Sequence, residues 1–420
     1  MKILAIRSFA LLLPLLGATV AWLWALPNRR TAGAVYLATL WTLPSLVILH
    51  LLARFFEWWT FDFIGGGFAG MPVDLLLGWA VLWGALPALL LPRMQLTTMM
   101  MLAIGIDLVL MPLCAPVVQL GAHWLTGELA AVCLVLAPAQ LLARWTIRDE
   151  HLSGRVFLQF LLFSSVVMIG IPSIVLTVTK SSVDLQMPYL LSQCAILAAI
   201  LGITAVQEFA ERGGGTPFPY DPPKKLVRSG IYAYVRNPMQ VSTTLLFALL
   251  AIITSSYWLA LAAVMSVAYS AGLAAWDEGS DLRERFGEES QRCIAAVRNW
   301  IPRWRPHIEQ PSTIYFAAEC DLCSEIAVSL RRRSPHQLLF EPAPEHLERV
   351  RYEAPDGYTA DGIIAIARAL EHIHLGWAMI GFAMRLPIAR EILQLIVDAT
   401  GGGRRRVTTE TKTVIRSATP

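Results

Sequence analysis

Charge is what this chain has least of. Only 15% of its 420 residues are Asp, Glu, Lys or Arg, against roughly 25% in a soluble globular domain. The deficit lies in the first 275 residues, where apolar runs alternate with short polar breaks. That pattern excludes an ordinary soluble domain there, because runs of about 18 or more apolar residues read as membrane helices. Cysteine is also sparse. Of six, Cys114, Cys133 and Cys194 lie in apolar runs, so no disulfide framework is indicated. Cys320 and Cys323 alone stand at a recognisable spacing, and no second pair follows to complete a four-cysteine zinc site. No internal repeat is visible, and charge within the apolar runs is nearly confined to Asp107; both count against a transporter. A net charge of +3 is small and gives no reason to expect a nucleic-acid partner.

What is present is an α-helical polytopic membrane protein with about nine transmembrane helices, near 8–27, 33–53, 73–91, 97–119, 128–143, 156–178, 188–207, 240–254 and 256–275. The N-terminal run carries no clear small-x-small cleavage site before Asn28 and reads as a retained helix. Basic residues set the orientation. Arg29, Arg30, Arg93, Arg144, Arg148, Arg155, Arg212, Lys224, Lys225, Arg228 and Arg236 fall on one side, against Lys2, Arg7, Arg54 and Lys180 on the other. The first side is expected to be cytoplasmic, with the chain after Ala275; Lys2 and Arg7 fit this poorly. The aromatic segment 54–72 reads as an interfacial belt or, more sharply, as a lid or partner-binding loop. Asp107 reads either as a functional acid or as a hydrogen bond to a neighbouring helix. The domains expected are 1–150, further membrane helices; 151–306, a membrane core; 312–407, a small soluble domain; and 408–420, a disordered tail.

The polar stretch Gly213 to Pro238, the hairpin that follows and the charged helix from Glu278 form the centre of the chain. Gly and Pro make 213–223 a loop of turns. Pro238 suits the first turn of a helix, which puts Arg236 and Asn237 at its N-terminus, where backbone N–H groups attract anions. Arg236 adds a planar fork suited to a carboxylate. Glu278, Asp281 and Glu284 share one face of the next helix. An anion clamp beside a carboxylate face at the lipid boundary suits a zwitterionic cofactor meeting a lipophilic substrate.

The run Lys225-Leu-Val-Arg-Ser-Gly-Ile-Tyr-Ala-Tyr-Val-Arg-Asn-Pro-Met239, with its spacing to Glu278, Leu282, Phe286, Gly287, Pro302 and Pro306, resembles the signature of the isoprenylcysteine carboxyl methyltransferase and phospholipid methyltransferase superfamily over about 155–306. The resemblance implies an integral-membrane methyltransferase using S-adenosyl-L-methionine on a lipophilic or lipid substrate. It implies that Leu226, Val227, Tyr232, Asn237, Pro238, Met239 and Glu278 bind the cofactor and that Arg236 makes a catalytic anionic contact. The chain departs from the pattern at Gln240, Gly279, Ser290 and Cys293, and at Ala274 where an Arg would hold a substrate carboxylate. The substrate half is thus less like the family than the cofactor half, and an inactive descendant stays open.

After Pro306 the composition turns soluble. An apolar strand from Ile314 runs into Cys320-Asp-Leu-Cys323 and a helix; a thiol at a helix N-terminus is activated. This region, with Tyr358-Thr-Ala-Asp-Gly362 and Arg385-Leu-Pro387, resembles the DCC-type thiol-disulfide oxidoreductases. That implies an α/β thioredoxin-like domain in the cytoplasm with Cys320 and Cys323 as its catalytic pair. It departs at Ala317 and Ala318, where that family has Asp and Gly. The alternative reading is a membrane-anchored thiol-disulfide oxidoreductase whose methyltransferase-like core is inactive. If the source is bacterial, the membrane is the inner or plasma membrane.

Overall fold

The computed structural model describes residues 2–90, 94–179, 188–218, 221–316, 321–343, 347 and 349–399, without the side chains of 188–190, 273–281, 289, 293–294 and 321–324. The chain is mostly helical. It divides into two units, Met1–Ser181 with Phe209–Lys225, and Ser182–Glu208 with Leu226–Pro420. Among the described residues, seven helices are long and apolar enough to cross a membrane, and two shorter apolar ones follow. The chain is therefore a polytopic membrane protein.

The first unit holds α1 (Lys2–Ala25), α2 (Arg29–Phe55), α3 (Val73–Leu90), α4 (Leu96–Leu113), α5 (Trp124–Arg148) and α6 (Leu152–Thr179). Apolar runs of this length become helices because hydrocarbon offers the backbone no other hydrogen-bond partners. Asn28 starts α2 by accepting the Thr31 N–H at 2.8 Å. Helices in lipid gain little from apolar burial, so polar side chains link them. Trp41 Nε1 donates to the Leu134 carbonyl at 3.1 Å, Thr42 to Ala80 at 3.2 Å, and Gln140 to Trp83 at 2.5 Å.

Each end of this bundle is closed by polar contacts. At one end Asp149 pairs with Arg30 at 2.9 Å, Arg155 at 2.7 Å and Lys224 at 2.8 Å, and Asp221 pairs with Arg30 and Arg155. Burial opposes ionisation of Asp149, but the three cations hold its carboxyl down at about 2. At the other end the belt segment folds back as strands. Strand β1 (Trp59–Phe61) pairs antiparallel with β4 (Val118–Leu120), and β2 (Gly67–Phe68) with β3 (Met71–Pro72). Trp59 is buried in the core beneath. Arg7 pairs with Asp74 at 2.6 Å and donates to the carbonyls of Ile64 and Gly65.

The second unit starts with α7 (Pro188–Gly213), whose last residues belong to the first unit. The hairpin of α8 (Pro238–Ile253) and α9 (Tyr257–Gly272) follows, then α10 (Ala275–Ala296). Beyond these lies a four-stranded sheet of β5 (Ser312–Phe316), β6 (Leu338–Pro342), β7 (Arg351–Glu353) and β8 (Thr359–Asp361), in the order β6-β5-β7-β8. Strands β5 and β6 are parallel, joined through α11 (Asp321–Arg331); the other two pairings are antiparallel. Along β5, Ser312, Ile314 and Phe316 are buried while their neighbours are half-exposed, the period of two that packs one face of a sheet. Three helices, α12 (Ile363–Leu370), α13 (Leu375–Arg385) and α14 (Pro387–Val397), complete the module.

Candidate functional site

The hairpin fixes the centre of the site. Antiparallel α8 and α9 are linked by Thr244 and Ser266 at 3.0 Å and, one turn nearer the base, by Ser270 and Gln240. The start of α8 therefore lies beside the end of α9, and α10 begins there. Gly287 interrupts α10 with φ 56° and ψ −135°, a conformation essentially reserved for glycine. Ser290 donates to the Gly287 carbonyl at 2.7 Å just past the bend. The chain then returns to the start of α8. Arg236 N–H donates to Arg298 O at 3.0 Å, Asn237 N–H to Asn299 O at 3.4 Å, Arg303 N–H to Tyr234 O at 2.9 Å, and His307 N–H to Ala233 O at 2.9 Å. A closed loop of chain thus runs from the motif through the hairpin and the bent helix back to the motif.

Within this loop Val227, Tyr232 and Pro238 are buried, while Leu226, Arg236, Asn237 and Met239 are half-buried. Asn237 is the N-cap of α8 but makes no side-chain cap bond, and its buried Nδ2 has no acceptor. The buried Trp300 Nε1, next to the residue that pairs with Asn237, has none either. Buried N–H donors without acceptors are costly and rare, so each of these two fits a ligand that brings an acceptor. Arg236 has a further interaction within the chain. The expected carboxylate of Glu278 stands on α10, but its side chain lies outside the described residues, as does that of Asp281. Cys320 also lies outside them; Cys323 is in α11 with its side chain not described.

Sequence reasoning missed what supports the motif from behind. Tyr232 reaches the Ala205 carbonyl at 3.5 Å, Ser229 donates to Glu208 at 2.5 Å, and Ser242 donates to Ala198 at 2.6 Å. Gly230 has φ 60°, and a Cβ there would lie 2.8 Å from the Glu208 carboxyl carbon, so only glycine suits the turn. Glu208 is wholly buried and takes Arg368 at 2.8 Å and Arg385 at 2.7 Å; both arginines also pair with Glu371, at 3.1 and 2.7 Å. Tyr234 donates to the Glu371 carbonyl at 2.7 Å, and Trp304 stacks on His374 with centroids 4.5 Å apart. Burial, then the charge of Glu371, pushes the Tyr234 phenol well above its ordinary range. The sequence placed the end of α7 at 207, which hid Glu208. Arg385 was legible only as part of a family motif.

Asp107 has a partner that the sequence did not reveal. Trp79 Nε1 donates to it at 2.6 Å, and Glu128 lines the same small cavity. Charge inside the spans is therefore less confined than it reads, since Glu128 and Glu208 lie within helices as well.

The family model of phospholipid methyltransferases matches residues 189–289. That is most of α7, the motif, the hairpin and α10 to its bend. No curated protein and no solved structure matches the chain. The match supports the superfamily that the motif resembles and points to a membrane methyltransferase.

Proposed function

We propose that the chain is an integral-membrane methyltransferase that uses S-adenosyl-L-methionine on a lipophilic substrate. One observation carries this beyond the family match: the backbone pairing of 236–237 with 298–299, which sets Asn237 and Trp300, each with a buried donor that has no acceptor, on adjoining stretches of chain. Those donors and the N-terminus of α8 fit the acceptor-rich, anionic end of the cofactor. Leu226, Val227, Tyr232, Pro238 and Met239 would line its apolar parts, Glu278 would face its amino or ribose groups, and Arg236 would hold an anionic group. When bound, the cofactor supplies an electrophilic methyl group. The chain's own contribution is to orient the acceptor in line with that methyl and to keep water out, since an anionic nucleophile needs no added base. The hairpin is built of two short apolar helices, which suits an acceptor that partitions into the bilayer.

Calorimetry of detergent-purified protein with S-adenosyl-L-methionine is the test. Wild type is expected to bind, and Asn237→Ala to bind about tenfold more weakly, the usual loss for one buried hydrogen bond. Absence of binding by wild type overturns the proposal.

A second reading rests on the C-terminal module. Its β5-α11-β6 crossover followed by antiparallel β7 and β8 supports a thioredoxin-like fold, with Cys323 in the first turn of α11 and Cys320 outside the described residues. In this reading the pair cycles between dithiol and disulfide and the membrane core serves as an anchor. Redox titration followed by thiol alkylation distinguishes the two: a reversible change of two alkylated thiols, lost in Cys320→Ser, is expected only if the pair is active.

A further inference from the structure

The last helix of the C-terminal module, α14, faces the wrong way for a soluble domain. Its polar side chains hold it to the module. Gln394 Oε1 accepts the Ile363 N–H at 2.9 Å, Gln394 Nε2 donates to Asp398 at 2.6 Å, and Arg349 pairs with Asp398 at 2.5 Å. Its aliphatic side chains point away. Ile388, Ile392 and Ile396 stand at successive intervals of four with Leu395 beside them, and they are 78%, 52%, 53% and 69% exposed. Residues three and four apart share a helix face, so these four form one stripe about 12 Å long. No residue of α14 is buried. Scattered exposed aliphatics are ordinary, but a contiguous apolar stripe marks a surface that something covers.

The place where the helix starts points to what covers it. Arg385, two residues before Pro387, pairs with Glu208 at 2.7 Å. Glu208 lies five residues from the end of α7, a helix long and apolar enough to cross a membrane. The stripe therefore begins one turn past a side chain that is fixed to the polar end of a membrane helix, where a bilayer surface lies. Charge agrees with this. The one acid within α14, Glu391, is paired with Arg390 at 3.1 Å, and Arg404, Arg405 and Arg406 follow the helix in the sequence. Basic runs beside a membrane attract anionic headgroups. An apolar helix face next to basic residues is the pattern of helices that lie in the interfacial plane, sunk about 5–10 Å into it. Composition agrees as well: protein–protein hot spots favour Trp, Tyr and Arg, whereas the stripe is Ile and Leu alone.

We propose that α14 is an interfacial anchor. It lies in the plane of an anionic bilayer surface beside the polar end of α7, with Ile388, Ile392, Leu395 and Ile396 among the upper acyl chains. The anchor holds the module to the membrane by lipid contact, in addition to the Glu208 cluster, and does not depend on methyl transfer.

The experiment places a bimane label at Ile392→Cys or, separately, at Leu395→Cys in full-length protein whose native cysteines are serine. The protein is reconstituted in nanodiscs of phosphatidylcholine, with or without phosphatidylglycerol. Lipids carrying a nitroxide near the headgroup or near the chain end serve as quenchers. Both labels are expected to be quenched by about twofold or more in excess by the nitroxide near the headgroup, as an interfacial depth requires, and more strongly with phosphatidylglycerol present. Ile388→Gln combined with Ile396→Gln is expected to lose most of the quenching at position 392. Arg404→Gln combined with Arg405→Gln and Arg406→Gln is expected to lose only the gain from phosphatidylglycerol. Should the cysteine-free chain not fold, hydrogen exchange of wild type in the same two discs decides: slower exchange of the 388–396 amides with phosphatidylglycerol supports the anchor, and equal exchange overturns it. Absence of quenching at both labels, or quenching unaltered by the two glutamines, also overturns it. A label response that follows protein concentration in detergent, without lipid quenching in discs, overturns it in favour of a second copy of the chain.

Discussion

Glu208 carries two guanidiniums on one carboxylate and is wholly buried with them. Such a cluster contributes modestly when complete, but removing one member strands the others, at about 3–5 kcal/mol. Glu208→Gln leaves Arg368 and Arg385 sharing Glu371 alone, and is expected to lower the unfolding midpoint of the purified protein substantially; an unchanged midpoint removes the quartet from the account of stability. His372 gives a test by pH. Burial pushes its imidazole down to about 4, although its Nε2 lies 2.9 Å from the Tyr352 hydroxyl and its Nδ1 lies 2.8 Å from the His336 carbonyl. The unfolded chain takes up this proton first, near 6.5. Stability is therefore full above about pH 6.5 and falls as pH drops toward 4, by about 3 kcal/mol at most. His372→Gln is expected to flatten that part of the pH–stability curve. At this scale the sequence was a partial guide. Arg7 counts against the inferred orientation when read alone, but Asp74 neutralises it, a pairing 67 residues apart that no local pattern records. Asp107 was recognised as an anomaly, whereas Glu128, the first residue of the span read at 128–143, drew no attention.

The helices were the most legible elements, because in lipid the length of an apolar run nearly dictates a helix. Strands β1 to β4 were not, being two or three residues each, the first three inside an aromatic segment that reads as a belt and β4 at the end of the apolar run read as a span over 97–119. The motif's location at the start of α8 was expected from Pro238 and was found there. Its pairing with 298–299 was not foreseen, because it depends on the turn at Gly287. Gly287→Ala meets no steric obstacle but must hold an alanine at positive φ, at about 1–3 kcal/mol. A straighter α10 would pull 298–299 off the motif. Faster hydrogen exchange at the amides of Arg236 and Asn237 is the expected readout, and unchanged exchange would detach the bend from the site.

Across the whole chain, the nine spans read in the sequence predict residues 56–72 on one side of the membrane and the chain after Ala275 on the other. The weight of basic residues predicts that the second side is cytoplasmic. In a cysteine-free background, a membrane-impermeant maleimide added to intact cells is expected to label Ile64→Cys, which is exposed, and not Arg305→Cys; the reverse pattern inverts the orientation. Substrate identity stayed illegible, since the positions that depart from the family, such as Ala274, mark what is missing rather than what is held.

The arginines that balance Glu208 stand at positions 368 and 385, so the ribosome delivers them long after α7 has entered the bilayer. Until then a membrane-inserted nascent chain carries a carboxylate with no counter-ion and a motif turn with nothing behind it. Synthesis of the last domain is thus the step that completes the first part of the enzyme-like core. A prematurely terminated chain would be recognisable to quality-control proteases by that exposed acid, however well its helices had been inserted.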